Sequence, residues 1–112
     1  MEYRNEAGEL HRLDGPAVIL GDGAKFWFQN NRRHRIDGPA IEYSDGARAW
    51  YQNGRCHRLD GPAFEDSDGS HAWYIYNKDV TRDVNKWLEE QNIKLPMSES
   101  EQVFFIMKFA GK

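Results

Sequence analysis

The stretch Trp50–Tyr74, WYQNGRCHRLDGPAFEDSDGSHAWY, decides how this chain is read. It opens and closes on a Trp-Tyr pair, and the 23 residues from one tryptophan to the next are the interval at which the surrounding sequence returns. HRLDGPA beginning at His11 comes back as HRIDGPA at His34 and as HRLDGPA at His57. Each copy is followed by an Asp-Gly pair (Asp22-Gly23, Asp45-Gly46, Asp68-Gly69) and then by Trp27, Trp50 or Trp73 beside a second aromatic ring. Self-similarity at a fixed period marks a repeat architecture, in which each unit buries its apolar face against its neighbour.

Two turn signals divide each unit. The Asp-Gly pairs, with Asn30-Asn31 and Asn53-Gly54, supply residues that tolerate positive φ at both centres of a two-residue type I′ turn. Between the turns lie runs such as KFWFQ, PAIEY and RAWYQ, too short for helices and rich in aromatic and β-branched residues. The expectation is a continuous antiparallel β-meander of three hairpin repeats. Two-residue turns at Asp45-Gly46 and Asn53-Gly54 set Ile41 opposite Trp50, Trp50 opposite His57, and Tyr51 opposite Cys56 on the other face. The tryptophan side is expected to be the core, with one ladder of Val18, Ile41 and Phe64 and another of Trp27, Trp50 and Trp73, and with His34 and His57 against the indoles. The DGPA segment interrupts the strand, since glycine and proline in succession suit a bulge. Residues 3–12, YRNEAGELHR, read as YQNGRCHR with two extra residues and no preceding Trp, a degenerate terminal copy.

After Tyr76 the pattern changes to a helical spacing at Val80, Val84, Trp87 and Leu88, with Asp79 or Thr81 as candidate caps. Asn92 to Pro96 breaks this helix, and Ser98 followed by Glu101 has capping-box spacing ahead of the apolar run VFFIM. The fold class is therefore mainly β, α+β overall. Hairpins are expected over residues 1–77, with a two-helix cap over 78–112 that covers the last strand, the whole forming one cooperative unit.

Leu, Ile, Val and Phe make up just under a fifth of the chain, so four Trp and five Tyr must supply much of the buried area. Fifteen basic and eighteen acidic residues give a net charge of −3, with the signs interspersed, which leaves no footprint for nucleic acid. Cys56 stands alone, so no intrachain disulfide forms, and a single thiol suits a reducing, cytoplasmic location. The start MEYRNEAGEL carries no secretory pattern, and no apolar run is long enough to span a membrane.

The unit in Trp50–Tyr74 resembles the membrane occupation and recognition nexus (MORN) repeat: it has that family's N-G-x-x-H start and its D-G before an aromatic, with Arg58, Leu59 and Asp60 inserted before Gly61. The form W-Y-x-N-G-x-x-H-R-x-D-G-P-A also resembles small repeat proteins of tailed bacteriophages and large viruses. The resemblance covers roughly residues 2–77 and leaves the helical tail outside it. It implies an elongated stack of hairpins, no catalytic activity, and use as a scaffold for protein or lipid contacts; no cofactor is expected. Lipid binding wants a basic face, whereas acidic side chains outnumber basic ones over residues 1–76. The phage-like form implies a small accessory protein in a bacterial cytoplasm, an inhibitor or adaptor that binds a host or defence protein.

From the residues themselves, the candidate partner-binding surface is the second face, where Phe28, Tyr51 and Tyr74 recur beside Ala17, Ala40 and Ala63 and near Arg35 and Arg58; the equal alternative is that the C-terminal helices cover it as core. Aromatic rings and arginines are enriched at binding hot spots. A first alternative is sequestration of a small anionic, nucleotide-like ligand by Arg12, Arg35 and Arg58. A second is an enzyme that uses the repeated His, Arg and Asp. A catalytic set normally converges on one pocket from different elements, whereas this set recurs at the structural period, so no catalytic residue is assigned. Arg12 and Asp14 are instead expected to pair within their copy. No metal site is expected: equivalent ligands in successive hairpins lie about 9.6 Å apart at the ~4.8 Å strand spacing, too far for ~2 Å bonds to one ion. Self-association through exposed edges is a further expectation.

Overall fold

The Asp-Gly turns set the register of the main sheet. In the computed structural model, which describes residues 1–111, each is a three-residue loop rather than a two-residue turn. Tyr43 N donates to Ala47 O at 2.9 Å, and Gly46, at φ +95°, closes the loop by donating to Tyr43 O. A type I turn followed by a glycine in the left-handed region makes this three-residue connection. Asp45 Oδ1 steadies it by accepting from Ala47 N, and Asp22 and Asp68 make the same bond in the other copies. The extra loop residue moves the expected register by one, so Ile41 faces Ala49 rather than Trp50.

Among the described residues twelve two-residue strands result. β1 (Val18–Ile19), β2 (Lys25–Phe26), β5 (Ile41–Glu42), β6 (Arg48–Ala49), β9 (Phe64–Glu65) and β10 (His71–Ala72) form one six-stranded antiparallel sheet in that order. Three separate hairpins project from it: β3 (Phe28–Gln29) with β4 (Arg32–Arg33), β7 (Tyr51–Gln52) with β8 (Arg55–Cys56), and β11 (Tyr74–Ile75) with β12 (Lys78–Asp79). The chain is thus mainly β, but it is not one continuous meander. It leaves the sheet at each of Trp27, Trp50 and Trp73, whose amides and carbonyls bond to different neighbours: Trp50 N donates to Ala63 O, while Trp50 O accepts from His57 N.

The sheet's two faces follow from period-2 alternation. One carries the ladder Val18, Phe26, Ile41, Ala49, Phe64 and Ala72, so Val18, Ile41 and Phe64 do share a row, alternating with Phe26, Ala49 and Ala72 in place of the tryptophans. The other carries Lys25, Glu42, Arg48, Glu65 and His71, in which acids alternate with bases; Arg48 pairs directly with Glu65. Opposite charges set directly across from each other favour this register. Small residues make the tightest layer: Ala17, Ala40 and Ala63 are fully buried.

The two-residue turns at Asn30-Asn31 and Asn53-Gly54 hold, with both centres at positive φ, and Tyr51 does face Cys56. A third turn of the same kind, Tyr76-Asn77, closes the last hairpin, so the hairpin region runs to Asp79 rather than residue 77. At the other end Tyr3 stands where a tryptophan stands in the later copies: His11 N donates to Tyr3 O as His34 N does to Trp27 O. Residues 3–12 thus align with the Trp included and one extra residue, not two.

α1 (Thr81–Glu90) begins at Val80, with no side-chain cap in the first position; Asp79 Oδ1 accepts from Thr81 N, while the Thr81 hydroxyl accepts from Trp73 N. α2 (Glu99–Phe105) opens with the expected Ser98–Glu101 capping box and runs on as a π-helical turn over Ile106–Ala110. The largest apolar cluster lies between the last hairpin and these helices: Trp73, Ile75, Val80, Val84, Trp87, Met97 and Phe105. Only this third tryptophan of the repeats is fully buried, so the expected Trp ladder is not the core. Among the described residues no helix is long and apolar enough to cross a membrane. The molecule measures 48 × 31 × 21 Å.

Candidate protein-interaction surface

The HR[L/I]DGPA string folds into one recurring device centred on its arginine. Arg35 Nε donates to Asp37 Oδ1 at 3.1 Å, its Nη1 donates to Pro39 O at 3.0 Å, and its guanidinium lies 3.9 Å over the Trp27 ring. Arg58 does the same with Asp60, Pro62 and Trp50, the stack being 3.8 Å. Arg12 does so with Asp14, Pro16 and Tyr3, at 4.0 Å from the ring. The glycine of the string makes room, since a Cβ on Gly61 would stand 2.8 Å from Arg58 Cζ. Arg35 and Arg58 also reach Glu42 and Glu65. The Arg12 guanidinium holds the exposed Asp14 carboxyl below its ordinary value.

The histidines are joints between copies. Nδ1 of His11, His34 and His57 accepts from the turn amides of Asn30, Asn53 and Tyr76, so each ring pins the next hairpin. His57 is buried, stacks on Tyr76 at 3.9 Å, and has its pKa lowered by that burial. The indoles are thus covered by arginines, and the expected packing of His34 and His57 against them is replaced by these amide bonds. Cys56 is buried, and desolvation, with the Asp79 charge nearby, pushes its thiol up to about 11, which keeps it un-ionised at neutral pH. Among the described residues no group of three His, Cys, Asp or Glu stands close enough to hold a metal ion.

Two open grooves lie between successive copies of this device. The first, 550 Å³, runs between the loops at Arg12–Pro16 and His34–Asp37 over Trp27 and Gln29. The second, 390 Å³, runs between Arg35–Gly38 and His57–Asp60 over Trp50 and Gln52. Their lips carry Leu13 and Ile36, 77% and 80% exposed. At the third equivalent place Trp73, Ile75 and Val80 stand where Trp50, Gln52 and His57 stand one period earlier, and the helices fill the space. Phe105 packs at 5.2 Å from the Trp73 ring, and Leu59, which corresponds to Leu13 and Ile36, packs against the cluster.

The face formed by Phe28, Tyr51 and Tyr74 lies elsewhere. All three rings are half-buried, and Arg33 sits near two of them, 5.9 Å from Phe28 and 5.6 Å from Tyr51. Burial raises the pKa of Tyr51 and of Tyr74. The helices do not cover this face, because they pack on Trp73 and Ile75 and leave Tyr74 outside the cluster. Ala17, Ala40 and Ala63 do not line it as shallow grooves, being fully buried. The arginine near the rings is Arg33, while Arg35 and Arg58 are held in their stacks over the indoles. Sequence reasoning missed the grooves; an apolar Leu or Ile recurs at the third position of each HR[L/I]DGPA copy, but only Leu13 and Ile36 are exposed. Compared with protein-family models, with curated proteins and with solved structures, the chain matches none.

Proposed function

We propose that residues 1–79 are an array of three MORN-like hairpin units and that the chain is a non-enzymatic module that binds another protein along the two open grooves. Bonds that recur at the 23-residue interval support the repeat reading: the amides of Arg12, Arg35 and Arg58 donate to Phe28, Tyr51 and Tyr74 carbonyls. One observation carries the binding reading. The third groove is filled by the chain's own apolar helices, whereas the same place in the first two copies is open and rimmed by Leu13 and Ile36. Solvent-exposed Leu and Ile repeated at a structural period form a surface suited to a partner. A phage-type inhibitor or adaptor of a host protein is the role the sequence likeness suggests for such a module.

The other two functions considered have weaker support. Arg12, Arg35 and Arg58 already have Nε and Nη1 engaged within the protein, which leaves a small anion little to bind. The repeated His, Arg and Asp of successive copies line the grooves together, but each is engaged as a structural joint, His34 and His57 Nδ1 accepting from Asn53 and Tyr76 N and each arginine donating to the aspartate of its own copy. A second interaction reading, contact through Phe28, Tyr51 and Arg33, is favoured by those rings remaining half-buried and uncovered.

The test compares tagged native protein with two folded variants, Leu13→Asp/Ile36→Asp and Phe28→Ala/Tyr51→Ala, in capture experiments with the bound protein identified by mass spectrometry. The groove reading expects a partner that the first variant loses and the second keeps. Loss with the second variant alone would move the site to the hairpin face, and capture unaffected by either would contradict both.

A further inference from the structure

We propose that the occupant of the two open grooves is a proline-rich segment of the partner protein in the polyproline II conformation, with one residue in every three seated in a groove. This rests on the reading of the grooves as the binding surface and names the chemistry they take. The three equivalent places of the array supply the contrast. Where the chain fills the place itself, with its own helices, Ile75 and Val80 line it. One and two periods earlier the corresponding residues are Gln52 and His57, and Gln29 and His34, and these line the open grooves. A wholly apolar occupant suits the third place, but in the other two it would strip water from amides and imidazoles and give nothing back.

Those polar groups are left over by the fold. Among the described residues the side-chain amides of Gln29 and Gln52 make no hydrogen bond within the chain. His57 is only 2% exposed, yet it lines the second groove; its Nδ1 accepts from Tyr76 N, so Nε2–H is the donor it has left. Nδ1 of His34 is taken in the same way by Asn53 N. The grooves thus set donors for carbonyl oxygens beside the apolar lips Leu13 and Ile36. They carry no unbalanced charge, since Arg12, Arg35 and Arg58 each pair with the aspartate of their own copy. An uncharged segment rich in carbonyl acceptors and apolar rings meets all three conditions.

Spacing selects the conformation. The two grooves share the wall Arg35–Asp37, so they lie one copy apart, about 9.6 Å at the ~4.8 Å strand spacing. A polyproline II helix returns to the same face every three residues, about 9.3 Å, and its carbonyls have no internal hydrogen bonds. A β-strand returns to one face every ~6.6 Å, which misses the second groove. An α-helix comes round after seven residues, about 10.5 Å, but its carbonyls are bonded within the helix and leave the Gln and His donors unmatched. Proline fits further because it brings no amide N–H that needs an acceptor. Aromatic-lined grooves are where such preformed segments dock.

Titration of a fluorescein-labelled peptide of four Leu-Pro-Pro units with the full chain, read by fluorescence polarisation, tests this. A peptide of four Leu-Gly-Ser units has the same period without the preformed helix and serves as control. The proline peptide should bind saturably and at least about fivefold more tightly than the control. Gln29→Ile/Gln52→Ile should melt like the native protein, because Ile75 is the native residue at the third place, and should weaken the peptide by at least about fivefold, the worth of one hydrogen bond. Leu13→Asp/Ile36→Asp, at exposed positions, should weaken it as well. No binding of the proline peptide, equal affinity for the two peptides, or binding that the glutamine variant leaves unchanged would each overturn the proposal. A protein captured through Leu13 and Ile36 that binds the glutamine variant as tightly as the native chain, or more so, would leave the groove reading standing and remove only the polyproline II occupant.

Discussion

Replacing Gly61 with alanine distinguishes a working arginine stack from an ornamental one by the sign of the effect. Gly61 does not sit at positive φ, and apart from Arg58 nothing is among the atoms nearest to an added Cβ. At such a position Gly→Ala ordinarily stabilises by ~0.4–1 kcal/mol through the unfolded chain. Here the new Cβ would stand 2.8 Å from Arg58 Cζ, so the guanidinium must leave its place over Trp50. It would give up the Pro62 carbonyl, worth about 1 kcal/mol, and the stack, worth ~0.5–1 kcal/mol. The pairs with Asp60 and Glu65 add about 1 kcal/mol after discounting for the exposure of Asp60. Set against the entropic gain, the net loss is ~1.5–2.6 kcal/mol, or about 6–11 °C in Tm for a chain of this size. Thermal melting followed by tryptophan fluorescence measures it, with Gly21→Ala as control, since a Cβ there meets nothing within 4 Å and should be neutral or stabilising. A Gly61→Ala protein as stable as the native one, or more so, would refute the structural role assigned to Arg58.

Other expectations follow from single contacts. Phe105→Ala should cost ~3–5 kcal/mol in urea unfolding because the ring is fully buried against Trp73 and Trp87, whereas Tyr51→Ala on the half-buried hairpin face should cost clearly less; equal losses would contradict the placement of the core. Ser98→Ala should lose about 1 kcal/mol with the capping box, and an unchanged unfolding midpoint would mean that α2 is held by packing alone. His57 has its pKa lowered from 6.5 by burial, so the unfolded state takes up its proton first as pH falls. Its contribution is complete above about pH 6.5 and is lost as pH falls from there through the folded value. His57→Gln should therefore flatten the fall in stability between about pH 7.5 and 5, and an unchanged slope would assign that fall to other groups.

The period, the hairpin turns and both helices were legible because each rests on local chemistry. Asn53-Gly54 tolerates positive φ in any context, and Ser98 and Glu101 make a capping box from four adjacent residues. What failed to show were distinctions decided by neighbours. Asp45-Gly46 serves a two-residue or a three-residue connection equally well, and here the Asp45 carboxylate reaching Ala47 N favours the longer loop, which moves the register by one. The tryptophans look alike in sequence, yet Trp27 and Trp50 are covered by the arginine eight residues on, while Thr81 replaces that arginine after Trp73 and Phe105 takes up the ring. Tyr76-Asn77 hid a third turn because tyrosine seldom adopts positive φ; the stack of His57 on its ring accompanies that conformation. The grooves were invisible for a related reason, since nothing local says that Leu59 is partly buried against the helical cluster while Leu13 and Ile36 are bare.

The central claim is that the open grooves bind a partner, and amide exchange on the captured complex tests it most directly. On binding, the backbone amides of Leu13–Gly15 and Ile36–Gly38, which rim the two grooves, should exchange more slowly, with the hairpin strands at Phe28 and Tyr51 unchanged. Protection confined to those strands, or none at the groove loops, would contradict the account.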